Sequence, residues 1–153
     1  MRNQKKLLLE QLDRKLMPFQ DLKNLQVPHR GWIHTIRISL NMTLQQLGFR
    51  LNISRQGVQD IEKRESTGSI TIKSLKEIGN ALDMQFVYGF APNQNSFEKF
   101  VEQKAREVAY KIIQRTNQNM KLEDQGNSEE RINDAIEELA KDIKHEMRRP
   151  LWE

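Results

Sequence analysis

Apolar residues recur along this chain at intervals of three and four, which predicts helices over most of its length. Leu8, Leu9, Leu12 and Leu16 space one amphipathic helix near the N-terminus, expected to close at Pro18. Trp32, Ile33, Ile36 and Leu40 space another. Leu44, Leu47 and Leu51 then mark a helix of about two turns, and Val58 and Ile61 the inner side of the next. Glu65–Ile70 holds Ser, Thr and Gly and reads as a turn, after which Ile72, Leu75, Ile78, Ala81 and Leu82 space a further helix. Met84–Phe90 differs in kind. It has β-branched and aromatic residues in partial alternation and leads to Pro92, so a short β-strand is predicted over Gln85–Tyr88. A lone strand needs a partner, such as the equivalent strand of a second subunit. Beyond Pro92 come two longer helices, one carrying Phe97, Phe100, Val101, Ala105, Val108, Ala109, Ile112 and Ile113. The second starts at a cap near Asn127 or Ser128 and carries Ile132, Ile136, Leu139, Ile143 and Met147. Their narrow, near-heptad stripes suit either a hairpin that completes the core or an intersubunit seam, and both readings stand. The predicted fold is mainly all-α. Residues 1–30 read as an N-terminal helix and basic linker, 31–92 as a compact five-helix domain, and 93–153 as a C-terminal helical hairpin.

The stretch Met42–Arg64 carries the most chemistry. Thr43 and Ser54 are N-cap residues, whose hydroxyls accept from backbone N–H groups in the first turn of each helix. Asn52, between the helices, tolerates a left-handed conformation. Gly48 sits mid-helix, where glycine costs roughly 1 kcal/mol against alanine, so a close helix crossing is expected there. Two short capped helices joined by a tight turn are the arrangement of a helix-turn-helix, whose second helix enters the DNA major groove. With Val58 and Ile61 inward, Arg55, Gln56, Gln59 and Asp60 are left as candidate base contacts. Arg pairs bidentately with guanine and Gln with adenine, at about 1–3 kcal/mol of discrimination per good pair. A polar helix face is ordinarily just solvated; the capped helix before it and the short hinge favour the groove.

Thr43, Gln45, Ser54, Lys63, Arg64, Lys73 and Ser74 border that helix or lie at helix N-termini. They are the candidate phosphate contacts. Arg2, Lys5, Lys6, Arg14, Lys15, Lys23 and Arg30 are either a basic arm on the DNA backbone or a solvated helix face.

Several segments together resemble one family. They are Arg30-Gly-Trp-Ile33, Met42-Thr43, Ser54-Arg-Gln-Gly-Val-Gln-Asp-Ile-Glu62, Glu65-Ser-Thr-Gly-Ser-Ile-Thr71, Leu82-Asp83, Val87-Tyr-Gly-Phe-Ala-Pro92, Met120-Lys-Leu-Glu-Asp-Gln125 and Leu151-Trp152. The chain resembles the mobile mystery protein A family, within the Cro/repressor-like (XRE) helix-turn-helix superfamily. The resemblance implies that Arg55, Gln56, Gln59 and Asp60 face the groove and that Arg37 forms a structural ion pair with Glu62. Leu44 departs from the pattern, standing where a glutamine touches the phosphate backbone; that contact passes to Gln45 or to the helix N-terminus. Such proteins are encoded on mobile elements beside a protein with a Fic-type domain, which implies an antitoxin-like role.

Charge divides along the chain. The balance is +4 over residues 1–30, +2 over 31–92 and −2 over 93–153, within a net +4. The basic excess lies with the N-terminal part and the helix-turn-helix, as phosphate binding requires. The chain has no cysteine, which excludes disulfides, thiolate metal sites and a cysteine nucleophile. No apolar run approaches the ~20 residues of a membrane span, and the short Leu7–Leu9 run before Glu10 argues against a secretory leader. His29, His34 and His145 have no metal-ligand spacing, and there is no phosphate loop or nucleophile elbow. No catalytic residue, metal or cofactor is expected, and the protein is not read as an enzyme.

The sequence therefore predicts a cytoplasmic, nucleoid-associated regulator of transcription. It is expected to bind a double-stranded operator as a homodimer and to repress its own operon beside the Fic-type partner. The alternative is a protein-binding antitoxin module whose C-terminal helices neutralise that partner, with DNA binding secondary.

Overall fold

A computed structural model describes residues 2–122, 129–146 and 149–152. Its α-helices are α1 (Arg2–Gln20), α2 (Trp32–Ser39), α3 (Leu44–Leu51), α4 (Arg55–Thr67), α5 (Ile72–Ala81), α6 (Phe97–Leu122) and α7 (Glu129–Glu146), followed by a 3₁₀ turn at Arg149–Trp152. The fold is all-α, and no strand occurs among the described residues. The chain forms two compact units, one of Asn24–Tyr88 and one joining Met1–Lys23 to Gly89–Glu153.

In the first unit α2, α3, α4 and α5 close around Leu47 and Val58, both fully buried, with Ile33, Ile78 and Leu82 beside them. Ile36, Met42, Leu44, Leu51, Ile61, Ile70 and Leu75 pack around this centre, so the three-and-four spacing of the sequence maps onto one core. Four helices form here rather than the five expected, and Met84–Pro92 is neither helix nor strand. The strand expected over Gln85–Tyr88 is absent for a physical reason: no neighbouring backbone of the described chain offers a ladder. Its aromatic residues find local contacts instead. Phe86 and Tyr88 stack with ring centres 5.7 Å apart, and Lys76 Nζ lies 5.8 Å from the centre of the Tyr88 ring.

Two ends depart from the sequence reading. α4 continues to Thr67, through residues expected to be a turn, and stops at Gly68 in the left-handed conformation. α2 is capped from outside its own segment. Gly31 has φ 88° and no side-chain cap, and the Glu65 carboxylate accepts from the Ile33 N–H at 2.8 Å. The positive φ favours glycine at Gly31, and a Cβ there would fall 2.6 Å from Glu65 Oε1 and push that carboxylate off the Ile33 N–H. Glu65→Ala is expected to cost about 1–2 kcal/mol, as for loss of an N-cap. Urea unfolding would measure it, with faster amide exchange in the first turn of α2.

The second unit is built on α6 and α7, whose stripes meet through Val101, Ala105 and Ala109 on one side and Ile136, Ala140 and Ile143 on the other. Leu151 is buried with them, and Trp152 stacks on Phe100 with ring centres 5.7 Å apart. These buried positions are used within the chain, so a seam to another molecule must use other residues. The expected positions Asn127, Ser128 and Met147 lie outside the described residues.

α1 belongs to this unit. Leu9 packs against the α6–α7 core, and the Asp13 carboxylate accepts from the Phe97 N–H at 2.6 Å and the Glu98 N–H at 3.2 Å. Ser96 Oγ takes the Lys99 N–H at 3.0 Å, so the free amides opening α6 are met largely by side chains. α1 also runs through Pro18 to Gln20, since a proline in the last turn removes a single backbone donor. Leu8 and Leu12, expected on its buried stripe, are exposed.

Lys144 of α7 ties the hairpin to α6, donating to Glu102 at 2.7 Å and Glu98 at 3.3 Å. Burial acts against its charge, but the hydrogen bonds to Glu102 and Glu98 outweigh that and hold its pKa above the ordinary lysine value. The same bond from Lys144 holds Glu102 below the usual carboxylate value. No described helix is long and apolar enough to cross a membrane.

Candidate nucleic-acid interface

The pair α3–α4 is fixed at both helix starts and at the turn between them. Thr43 Oγ1 accepts from the Gln46 N–H at 3.0 Å, and Gln46 Oε1 accepts from the Thr43 N–H at 2.9 Å, a reciprocal capping box. Asn52 adopts φ 57°, ψ 42°, the left-handed region. The Ile53 N–H then reaches back to the Gly48 carbonyl at 2.9 Å. A Cβ on Gly48 would sit 2.8 Å from the Ile53 carbonyl oxygen. The close approach that requires glycine is thus made by the turn backbone entering α4, not by the flank of the neighbouring helix. Ser54 Oγ caps α4 by accepting from the Gly57 N–H at 3.0 Å.

A buried ion pair sets the orientation of α4. Arg37 Nε donates to Glu62 Oε1 at 2.6 Å and Nη2 to Oε2 at 3.3 Å, a bidentate geometry. Arg37 Nη1 donates to the Met42 carbonyl at 3.0 Å, and Nη2 lies 3.3 Å from His34 Nδ1. With 6% and 8% of their surfaces exposed, Arg37 and Glu62 are the two charged residues buried in the described core. Such a pair gains little net stability, because desolvation offsets the attraction. Its geometric effect is larger: one guanidinium joins α2, the turn before α3, and the inner face of α4.

With Val58, Ile61 and Glu62 turned inward, Arg55, Gln56, Gln59, Asp60, Lys63 and Arg64 are all exposed. Gln56 Nε2 donates to Asp60 Oδ1 at 3.2 Å, one turn apart. Thr43, Gln45 and Ser54 are exposed at the starts of α3 and α4, and the two hydroxyls that act as caps each keep an O–H to donate. Gln59 and Lys63 line one cleft with Arg30, His34, Arg37 and Glu62; Thr43 and Gln45 line a second with Phe49 and Arg50. Lys73 is exposed on α5, whereas Ser74 is half-buried and its hydroxyl takes the Thr71 O–H at 2.9 Å. Leu44 is half-buried against the core, as a leucine at that place should be. Among the described residues no three His, Cys, Asp or Glu side chains gather to hold a metal.

Residues 33–88 match the family model described as helix-turn-helix. The chain carries a DNA-binding helix-turn-helix domain of the Cro/repressor-like type. No curated protein and no solved structure gives a significant match to the chain. Within the helix-turn-helix, α3 is the first helix and α4 the second, the one that such domains place in the major groove. Two participants in its geometry are not evident from sequence patterns. His34 joins the Arg37–Glu62 pair, and Glu65 caps α2 across thirty-two residues. The Gln46 half of the capping box does have a local signal, the Thr-x-x-Gln spacing of residues 43–46.

Proposed function

We propose that this protein is a dimeric, sequence-specific regulator of transcription that reads an operator with the outer face of α4. The observation that carries the reading is that Arg55, Gln56, Gln59 and Asp60 are all exposed on a helix whose opposite side is locked by the buried Arg37–Glu62 pair. A reading helix must offer hydrogen-bonding side chains and hold them at a fixed angle, since each base contact depends on bidentate geometry. Thr43, Gln45, Ser54, Lys63, Arg64 and Lys73 supply phosphate contacts around it, and Ser74 does so through its place at the α5 N-terminus.

Two copies would set their α4 helices about 34 Å apart, one turn of B-DNA. Exposed Val87 and Tyr88 support a second subunit, since large apolar side chains at neighbouring positions are otherwise left in water. The resemblance to the mobile mystery protein A family supports repression of the protein's own operon, an antitoxin-like role beside a Fic-type partner, and a place in the cytoplasm on the nucleoid. Selection of bound duplexes from a random library by the full chain tests the reading. An inverted repeat with half-sites about 10 bp apart, or a multiple of that, is expected. Recovery of no preferred sequence would overturn it.

A further inference from the structure

Beside the reading face, α2 and α4 bound a cleft of about 320 Å³ lined by Arg30, His34, Arg37, Gln59, Lys63 and Ser66, among others. Its charge is unbalanced. Arg30, Arg37 and Lys63 face a single carboxylate, Glu62, which Arg37 already neutralises at 2.6 Å. Two of the cations, Arg30 and Lys63, are exposed at the cleft and take part in no ion pair within the described chain.

His34 adds a directed donor. Arginine has only N–H groups, so Arg37 Nη2, at 3.3 Å and nearer than Glu62 Oε2 at 3.6 Å, takes His34 Nδ1 as its acceptor. The neutral ring then carries its proton on Nε2. The same guanidinium that orients α4 favours that tautomer, and the ring is half-buried in the cleft wall. Two long-armed cations and an imidazole N–H around one cavity match a tetrahedral oxyanion, which takes charge and a directed donor at once; the Ser66 hydroxyl is spent on the Lys63 carbonyl at 2.7 Å.

We propose that this cleft seats one phosphodiester group of the DNA backbone, held by Arg30 and Lys63 through charge and by His34 Nε2–H as a donor. The proposal rests on the DNA-binding reading above and assigns Arg30 and His34 to that interface. The seat lies along α4 about two turns beyond the base-reading Gln56, and shares its wall with Gln59. An occupied seat would therefore fix how far α4 enters the groove. It reads charge, not sequence.

The test uses the full chain and a random-sequence 30-bp duplex, titrated at about 50 to 200 mM KCl, where phosphate contacts dominate the salt dependence. Arg30→Gln and Lys63→Gln should each reduce the slope of log K against log[KCl] by about one. His34→Ala should weaken binding severalfold with the slope unchanged, since it removes a neutral donor. His34→Gln, which keeps both an acceptor and an N–H, should restore affinity, as loss of folding would not. Unchanged slopes in Arg30→Gln and Lys63→Gln would overturn the seat, and wild-type affinity in His34→Ala would overturn the role of that ring. Inorganic phosphate that competes beyond the effect of matched ionic strength would assign the cleft to a free anion instead. Failure of base reading shows separately, as equal wild-type affinity for selected and random duplexes; the slopes are measured on random duplex and survive that outcome. No binding to any duplex would overturn both.

Discussion

Arg55→Ala and Gln56→Ala together are expected to abolish operator preference while leaving the fold and much of the general DNA affinity intact. Both side chains are exposed, so their removal empties no core, and alanine favours the helix. The double change breaks the exposed hydrogen bond from Gln56 to Asp60, a bond of small worth in water. If each residue makes a bidentate base contact at about 1–3 kcal/mol, preference for the operator over a scrambled duplex falls on the order of a hundredfold or more. Competition gel shifts against the scrambled duplex would measure that ratio, with circular dichroism to confirm helical content. Preference retained in full would remove α4 from the reading role and leave the cleft and helix N-termini as contacts of another kind.

The second large effect is on stability. Glu62→Ala would strand the Arg37 guanidinium in a site where 6% of its surface is exposed, leaving it the Met42 carbonyl and His34 Nδ1 as partners. Breaking a buried pair from one side costs about 3–5 kcal/mol, a large share of the stability of a small unit. Replacing both residues, as Arg37→Met with Glu62→Leu, is expected to cost far less, because no buried charge remains. The two units need not unfold together, so the probe must be local. Trp32 opens α2 in the helix-turn-helix unit; with Trp152→Phe as background, its fluorescence in urea would follow that unit alone. The double substitution should keep stability but lose operator affinity, since α4 would no longer be held at one angle. Equal destabilisation by the single and double changes would mean that the pair acts only by filling space.

The parts of this structure legible in the sequence are those written within one or two turns of chain. Leu44, Leu47 and Leu51 with Val58 and Ile61 described the helix-turn-helix core because helix spacing alone brings such residues to one side. Thr43 and Ser54 were readable as caps because the amides they accept from lie three residues on. Contacts across long separations leave no such trace. Asp13 reaches Phe97 over eighty-four residues, and Glu65 reaches Ile33 over thirty-two; each is one carboxylate among many. The strand expected at Gln85–Tyr88 failed for a related reason. Alternation and β-branching describe what a residue suits, whereas a strand exists only where another backbone pairs with it. The polar face of α4 was visible as a set of side chains, but the cleft beside it was not, since Arg30 and Lys63 come together only when α2 and α4 pack.

The capping of α6 by Asp13 has a consequence for the order in which the chain assembles. α1 is synthesised before its partners, which begin at Phe97, with the whole helix-turn-helix unit between them. At about 5–20 residues per second, roughly 80 residues of intervening chain correspond to several seconds of synthesis. During that interval the DNA-reading unit, all of whose helices are contiguous, is free to fold. Leu9 and Asp13 meanwhile remain without the surface they are built to meet. The nascent chain thus holds a completed reading head before the body that brackets it in sequence can close, and α1 stays open to a chaperone or a second nascent copy during that interval.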